Sequence, residues 1–170
     1  TMMVAVLLHE GAHLAQSATY GALMSTLAEL NDLPEDFSDD TIQYRFGDDV
    51  EFETSIARET ELLFQAAATP DRAIARQYAS EALALMRARH ARWFVGADVY
   101  LSEAEEIWLT LEGAGQWAGY RWLIDPNGGG VSEEIAMAHF ARRGRWWSQN
   151  EGIALALALL GVIVQGFALG

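Results

Sequence analysis

Hydrophobic and polar positions along this chain recur mostly every three or four residues, the spacing of helices packed on one side. Met2 to Leu30 is largely apolar and predicts one long helix, in which Gly11 and Gly21 are tolerable interruptions at about 1 kcal/mol each. Turn residues and Pro34 make 31–40 a loop. Thr41–Phe46 alternates weakly and predicts a short strand or an extended connection. Asp48 and Asp49 then suit the cap and first turn of a helix over Val50–Ala68, whose inner side carries Ile56, Leu62, Leu63 and Ala66. Thr69 and Pro70 predict the cap and first residue of the next helix, which runs to about Phe94. Its Arg72, Arg76, Arg87, Arg89 and Arg92 predict a solvated face paired with acidic neighbours. Ser102 and Glu105 predict a capping box at the start of a helix over Glu103–Leu123. Asp125 to Gly130 is a loop, and Ser132 caps a short helix through about Ala141. Arg142, Arg143, Gly144 and Arg145 suit the end of that helix. Ile153 to Gly170 is apolar except for Gln165, and its glycines and the cap-like Ser148–Glu151 favour a core helix over a bilayer span. The expectation is one mainly α domain over 1–170, with about six helices and at most a short strand or hairpin.

Composition narrows the partners. The net charge of −13 argues against nucleic acid, whose phosphates need a positive footprint, and against anionic lipid. A soluble protein is expected, in the cytoplasm or secreted. With no cysteine, thiolate metal sites, disulfides and thiol nucleophiles are excluded. Any metal must be held by carboxylates and by His9, His13, His90 or His139.

The pattern that carries chemistry is His9-Glu10-Gly11-Ala12-His13, an H-E-x-x-H. Four residues apart on a helix, the two imidazoles share a face one turn apart and can reach a single zinc ion. Glu10, rotated about a quarter turn away, is placed to touch a metal-held water and is the candidate general base. Apolar flanks from Val4 to Leu8 and at Leu14 and Ala15 predict a helix buried on most of its circumference, where unpartnered imidazoles would be costly. Gly11 is small enough to let another helix approach closely. The motif helix starts almost at residue 1, which suggests that the sequence is a fragment truncated at its N-terminus.

A catalytic zinc takes three protein ligands and one open position. The short extension that would bring a third histidine is absent, since Gln16 and Thr19 stand at its positions. Glu112, 99 positions beyond His13 and set among Leu109, Leu111, Ala114 and Trp117, is the leading third ligand. Gly113 beside it allows close packing against the motif helix. Glu59 is the main rival, with an ion pair to Arg58 or to an arginine of the next helix as its structural alternative. Glu53, Glu61, Glu81 and Glu151 follow.

Leu8-His9-Glu10-Gly11-Ala12-His13-Leu14-Ala15-Gln16, together with the downstream Glu112-Gly113, resembles the gluzincin type of zinc metallopeptidase. The resemblance implies a zincin-like helical domain, His9, His13 and Glu112 as zinc ligands, Glu10 as base, and a peptide or protein substrate. The chain departs from the pattern at Ala114, Gly115 and Trp117, and the oxyanion donor is unassigned among His139, Tyr120, Tyr100 and Tyr20. The alternative function is a non-catalytic, degenerate zincin that binds a metal or a partner protein.

Overall fold

The computed structural model describes residues 2–34, 36–141 and 146–167, with side chains described through 160. Every regular element among them is helical. A first long rod comprises α1 (Met2–Gln16), a π-helical turn over Ser17–Gly21, and α2 (Ala22–Asn31), which ends where Asp32 adopts the left-handed conformation at φ 50°. The short α3 (Thr41–Phe46) precedes α4 (Val50–Ala68), α5 (Arg72–Trp93) and α6 (Leu101–Ile124). The last two helices are α7 (Glu133–Phe140) and α8 (Trp147–Phe167).

Local chemistry explains most boundaries. The Asp49 carboxylate accepts from the Glu51 and Phe52 amides, and Ser132 accepts from that of Ile135, both as expected. The cap of α5 is Asp71, which accepts from Ala73 and Ile74, and not Thr69. No capping box forms at α6: Ser102 donates back to the Val99 carbonyl, and Glu105 is buried elsewhere. Thr41–Phe46 is helix, not strand, because it docks Ile42 and Phe46 onto an aromatic cluster with Phe52 and Phe94. Tertiary packing overrides a weak local pattern there.

The helix α8 lies between α4 and α6, with α5 outside α4 and α1 outside α6. Close helix approach is set by glycine. A Cβ on Gly113 would meet the Gly152 carbonyl oxygen of α8 at 2.6 Å, so this glycine serves the α6–α8 contact and not the motif helix. On the opposite side of α6, a Cβ on Gly119 would lie 2.9 Å from the Ala5 carbonyl oxygen of α1. Ile153, Ala154 and Ala158 bury α8 in the core, and among the described residues no helix is long and apolar enough to cross a membrane.

Two expectations about burial fail. In α1 only Ala5 is buried; Leu7 and Leu14 are 63 % and 77 % exposed. The helix rests on α6 along one narrow face, so apolar flanks do not make it a central element. Gly11 faces open space. Conversely, Arg89 is not on a solvated face but 1 % exposed. It donates to both carboxylate oxygens of Glu59 and to both of Glu105, and lies 5.3 Å above the Phe52 ring. His90 joins through Glu105, 2.5 Å from Nε2 to Oε2. Burial raises the Glu105 carboxyl, but Arg89 and His90 more than offset this and hold it below the usual range. Burial pushes Glu151 well above that range; Arg89 opposes the rise, while Glu105 and Glu59 add to it. Arg142 to Arg145 lie outside the described residues.

Candidate metal centre

The site is assembled by two helices. On α1, residues 9 and 13 lie one turn apart on the face that meets α6. Their Nε2 atoms are 2.9 Å apart and their rings are set at 87° to each other. On α6, Glu112 comes to the same point: Oε2 is 3.5 Å from His9 Nε2, and Oε1 is 3.2 Å from His13 Nε2. Among the described residues, His9, His13 and Glu112 form the group of histidine and carboxylate side chains that could hold a metal ion. The helices meet this closely because Gly115 is opposite His9, where a Cβ would lie 2.7 Å from Nδ1 and 2.8 Å from Cε1. Gly115, not Gly113 or Gly11, is therefore the glycine that serves the site. Its placement three residues after Glu112 was available in the sequence, but which helix it faced was not.

Three observations test whether the residues fit a metal. First, ligands of a tetrahedral zinc at 2.0–2.1 Å are separated from one another by about 3.3 Å, and the 2.9, 3.2 and 3.5 Å separations bracket that value. Second, Glu112 Oε2 is buried without a hydrogen-bond partner, an acceptor left for an ion to satisfy. Third, two nitrogens and a carboxylate suit zinc, although other divalent ions accept the same set.

The electrostatics point the same way. Burial pushes the Glu112 carboxyl up to about 7, and the charges of Asp39, Glu10 and Asp40 add to the rise, while a hydrogen bond with Gln149 opposes it. Asp40 is itself raised by burial and by Asp39. Negative charge is thus concentrated beside the two imidazoles. Asp39, whose carboxylate accepts from the Ser148 hydroxyl, was not singled out from the sequence; only the fold brings its loop to α6 and α8.

Glu10, exposed on α1, is close enough for its charge to act on Glu112. Glu59 is not brought to the histidines. It is held by Arg89 and by the Ser55 hydroxyl, the ion pair with an arginine of α5 that was its structural alternative. Glu61 and Glu81 pair with Arg58, Glu53 is exposed, and Glu151 lies in the Arg89 cluster. Of the possible oxyanion donors, Tyr120 packs edge-on against Phe140 in the core, Tyr100 packs against Phe37, Tyr20 lies in the π-helical turn, and His139 is exposed on α7. No family model, curated protein or solved structure matches the chain.

Proposed function

We propose that the chain is a zinc-dependent hydrolase of the gluzincin type, a metallopeptidase in which His9, His13 and Glu112 hold the ion and Glu10 is the general base. The supporting observation is the meeting of the three side chains at separations suited to a tetrahedral ion, with a buried carboxylate oxygen of Glu112 that has no hydrogen-bond partner. Bound there, zinc supplies a Lewis acid for the scissile carbonyl and makes an attacking water more acidic. Glu10, next to His9 and exposed on α1, would serve as the general base, taking a proton from the attacking water and handing it to the departing amine of a peptide. Asp39 and Asp40 keep the site acidic, which aids cation retention.

Glu10→Gln separates catalysis from binding. Zinc stoichiometry and affinity should match the parent protein, while peptide hydrolysis falls by about 100-fold or more, the scale of a lost general base. Retained hydrolysis in the variant, or no zinc bound by the parent, refutes the proposal. One observation favours the non-catalytic metal-binding reading: Tyr120 is engaged in the core, leaving the oxyanion without an assigned donor. Zinc bound tightly by a parent protein that hydrolyses no peptide would select it.

A further inference from the structure

Away from the metal centre, a small cavity of about 20 Å³ lies where α3, α4, α6 and the first turn of α8 meet. Asp39, Gln43, Glu105, Ser148 and Glu151 supply the polar part of its lining, and isoleucine, leucine and tryptophan side chains line the rest. Neither His9, His13, Glu10 nor Glu112 lines it.

Glu151 is the residue this cavity concerns most. It is 1 % exposed, and its Oε1 is buried with no hydrogen-bond partner. The rest of the carboxyl is accounted for, because Glu151 hydrogen-bonds to Glu59. Glu59 already accepts from the Arg89 guanidinium and the Ser55 hydroxyl, as an ionised carboxylate does. Two carboxyl groups share a hydrogen bond only when one of them carries the proton. The proton therefore sits on Glu151, whose hydroxyl donates to Glu59, and burial favours the same state. Oε1 is then a carbonyl oxygen that needs a donor, and the protein supplies none. Ser148 donates its only hydroxyl proton to Asp39, and the carboxylates of Asp39 and Glu105 are acceptors themselves. Both oxygens of Glu105 are taken by Arg89, and one of them also by His90. Asp39 accepts from Ser148 on Oδ2.

We propose that the cavity is a site for one internal water, which donates one proton to Glu151 Oε1 and the other to Asp39. A water needs about 10–15 Å³ of such space and two to four polar partners, so this volume takes one and not two. A coordinated cation fits less well. Among the described residues only His9, His13 and Glu112 bring histidine or carboxylate ligand atoms within 4.8 Å of one another, and the carboxylates of this cavity do not converge in that way. The water would join the buried Arg89 cluster to the Ser148–Asp39 contact, and so help to fix the carboxylate whose charge acts on Glu112. The inference stands whether or not a metal binds to the histidines.

The test is a crystal structure of the full chain fine enough to place waters, together with magnetic relaxation dispersion, which counts long-lived internal waters in solution. The parent protein should show one water in the cavity, within about 3.2 Å of Glu151 Oε1 and of an Asp39 carboxylate oxygen. Glu151→Gln should keep it, since the amide donates to Glu59 and its carbonyl oxygen still accepts from the water. Glu151→Met offers neither group and should lose it, lowering the count of long-lived waters by one. Should Glu151→Met fail to fold by circular dichroism, the parent and Glu151→Gln structures decide alone. A parent cavity with no ordered density overturns the proposal, as does one filled by a protein side chain or a metal ion. So does a water lost from Glu151→Gln or retained in Glu151→Met.

Discussion

Gly115→Ala tests the metal centre at a position that ligates nothing. The new methyl carbon would begin 2.7 Å from His9 Nδ1, 2.8 Å from Cε1 and 3.0 Å from Cγ. Comfortable carbon contacts lie at about 3.5–4.0 Å, so the imidazole must retreat by about 1 Å. The backbone of α1 has little room to retreat with it, because the Ala5 carbonyl is seated against Gly119 one turn along α6. The ring therefore tilts and carries Nε2 off its position, whereas a metal–nitrogen bond tolerates about 0.2 Å. Zinc affinity should fall by about 10- to 100-fold, or 1.4–2.8 kcal/mol, the range seen when a ligand's orientation is spoiled. Stability without metal should change little, or rise slightly, because alanine in a helix interior is favoured over glycine by up to about 1 kcal/mol. Chelator competition gives the affinity, and thermal melts with and without zinc give the stability. The reasoning fails if the variant binds zinc as tightly as the parent while His9→Ala abolishes binding, or if the metal-free protein loses as much stability as the zinc-bound form.

Further substitutions separate the other roles. Glu112→Gln should lower zinc affinity by about 100-fold or more, the upper end of what even an indirect partner costs; Glu59→Gln should leave the affinity unchanged in the same titration. Arg89→Met strands two buried carboxylates and should destabilise the chain by about 3–5 kcal/mol in urea. Adding Glu59→Gln and Glu105→Gln should recover much of that loss, and no recovery would show that packing, not charge, dominates. Glu112 also gives the metal-free protein a pH dependence. Its folded value of about 7 exceeds that of an unfolded glutamate, so the native state holds the extra proton. Stability should fall as pH rises from about 4.5 through 7, by up to about 3 kcal/mol. Melts of the chelator-treated parent and of Glu112→Gln should show a shallower slope in the second, where Glu151 and Asp40 remain as raised carboxyls.

Helix content was legible because the three-to-four-residue spacing recurs wherever a helix buries one face, and the pairing of His9 with His13 was legible because the two imidazoles are local. Glu112 could be reached by asking which carboxylate sits in apolar surroundings, since such a group needs a partner wherever the chain folds it. The same question pointed to Glu59, and only the fold distinguishes them: one glutamate meets imidazoles and the other a guanidinium. Arg89 was misread because five arginines on one helix look alike in sequence, although one of them turns inward between Glu59 and Glu105. The exposure of Leu7 and Leu14 was equally hidden, because hydrophobicity reports what a helix could bury and not how many neighbours it has. Thr41–Phe46 is too short for periodicity to decide, and its aromatic neighbours settle it as a helix.

The narrow seat of α1 on α6 has a thermodynamic consequence. On the proposed function the helix brings two of the three ligands, yet it lends the core a single buried side chain, Ala5. An ion that grips residues 9, 13 and 112 thus also clamps the amino-terminal rod to the bundle, and part of its binding energy goes into that clamping. Starved of metal, the rod would open at a lower free energy than the remaining helices and offer its backbone to proteolysis. The lifetime of the polypeptide would then follow the supply of its ion.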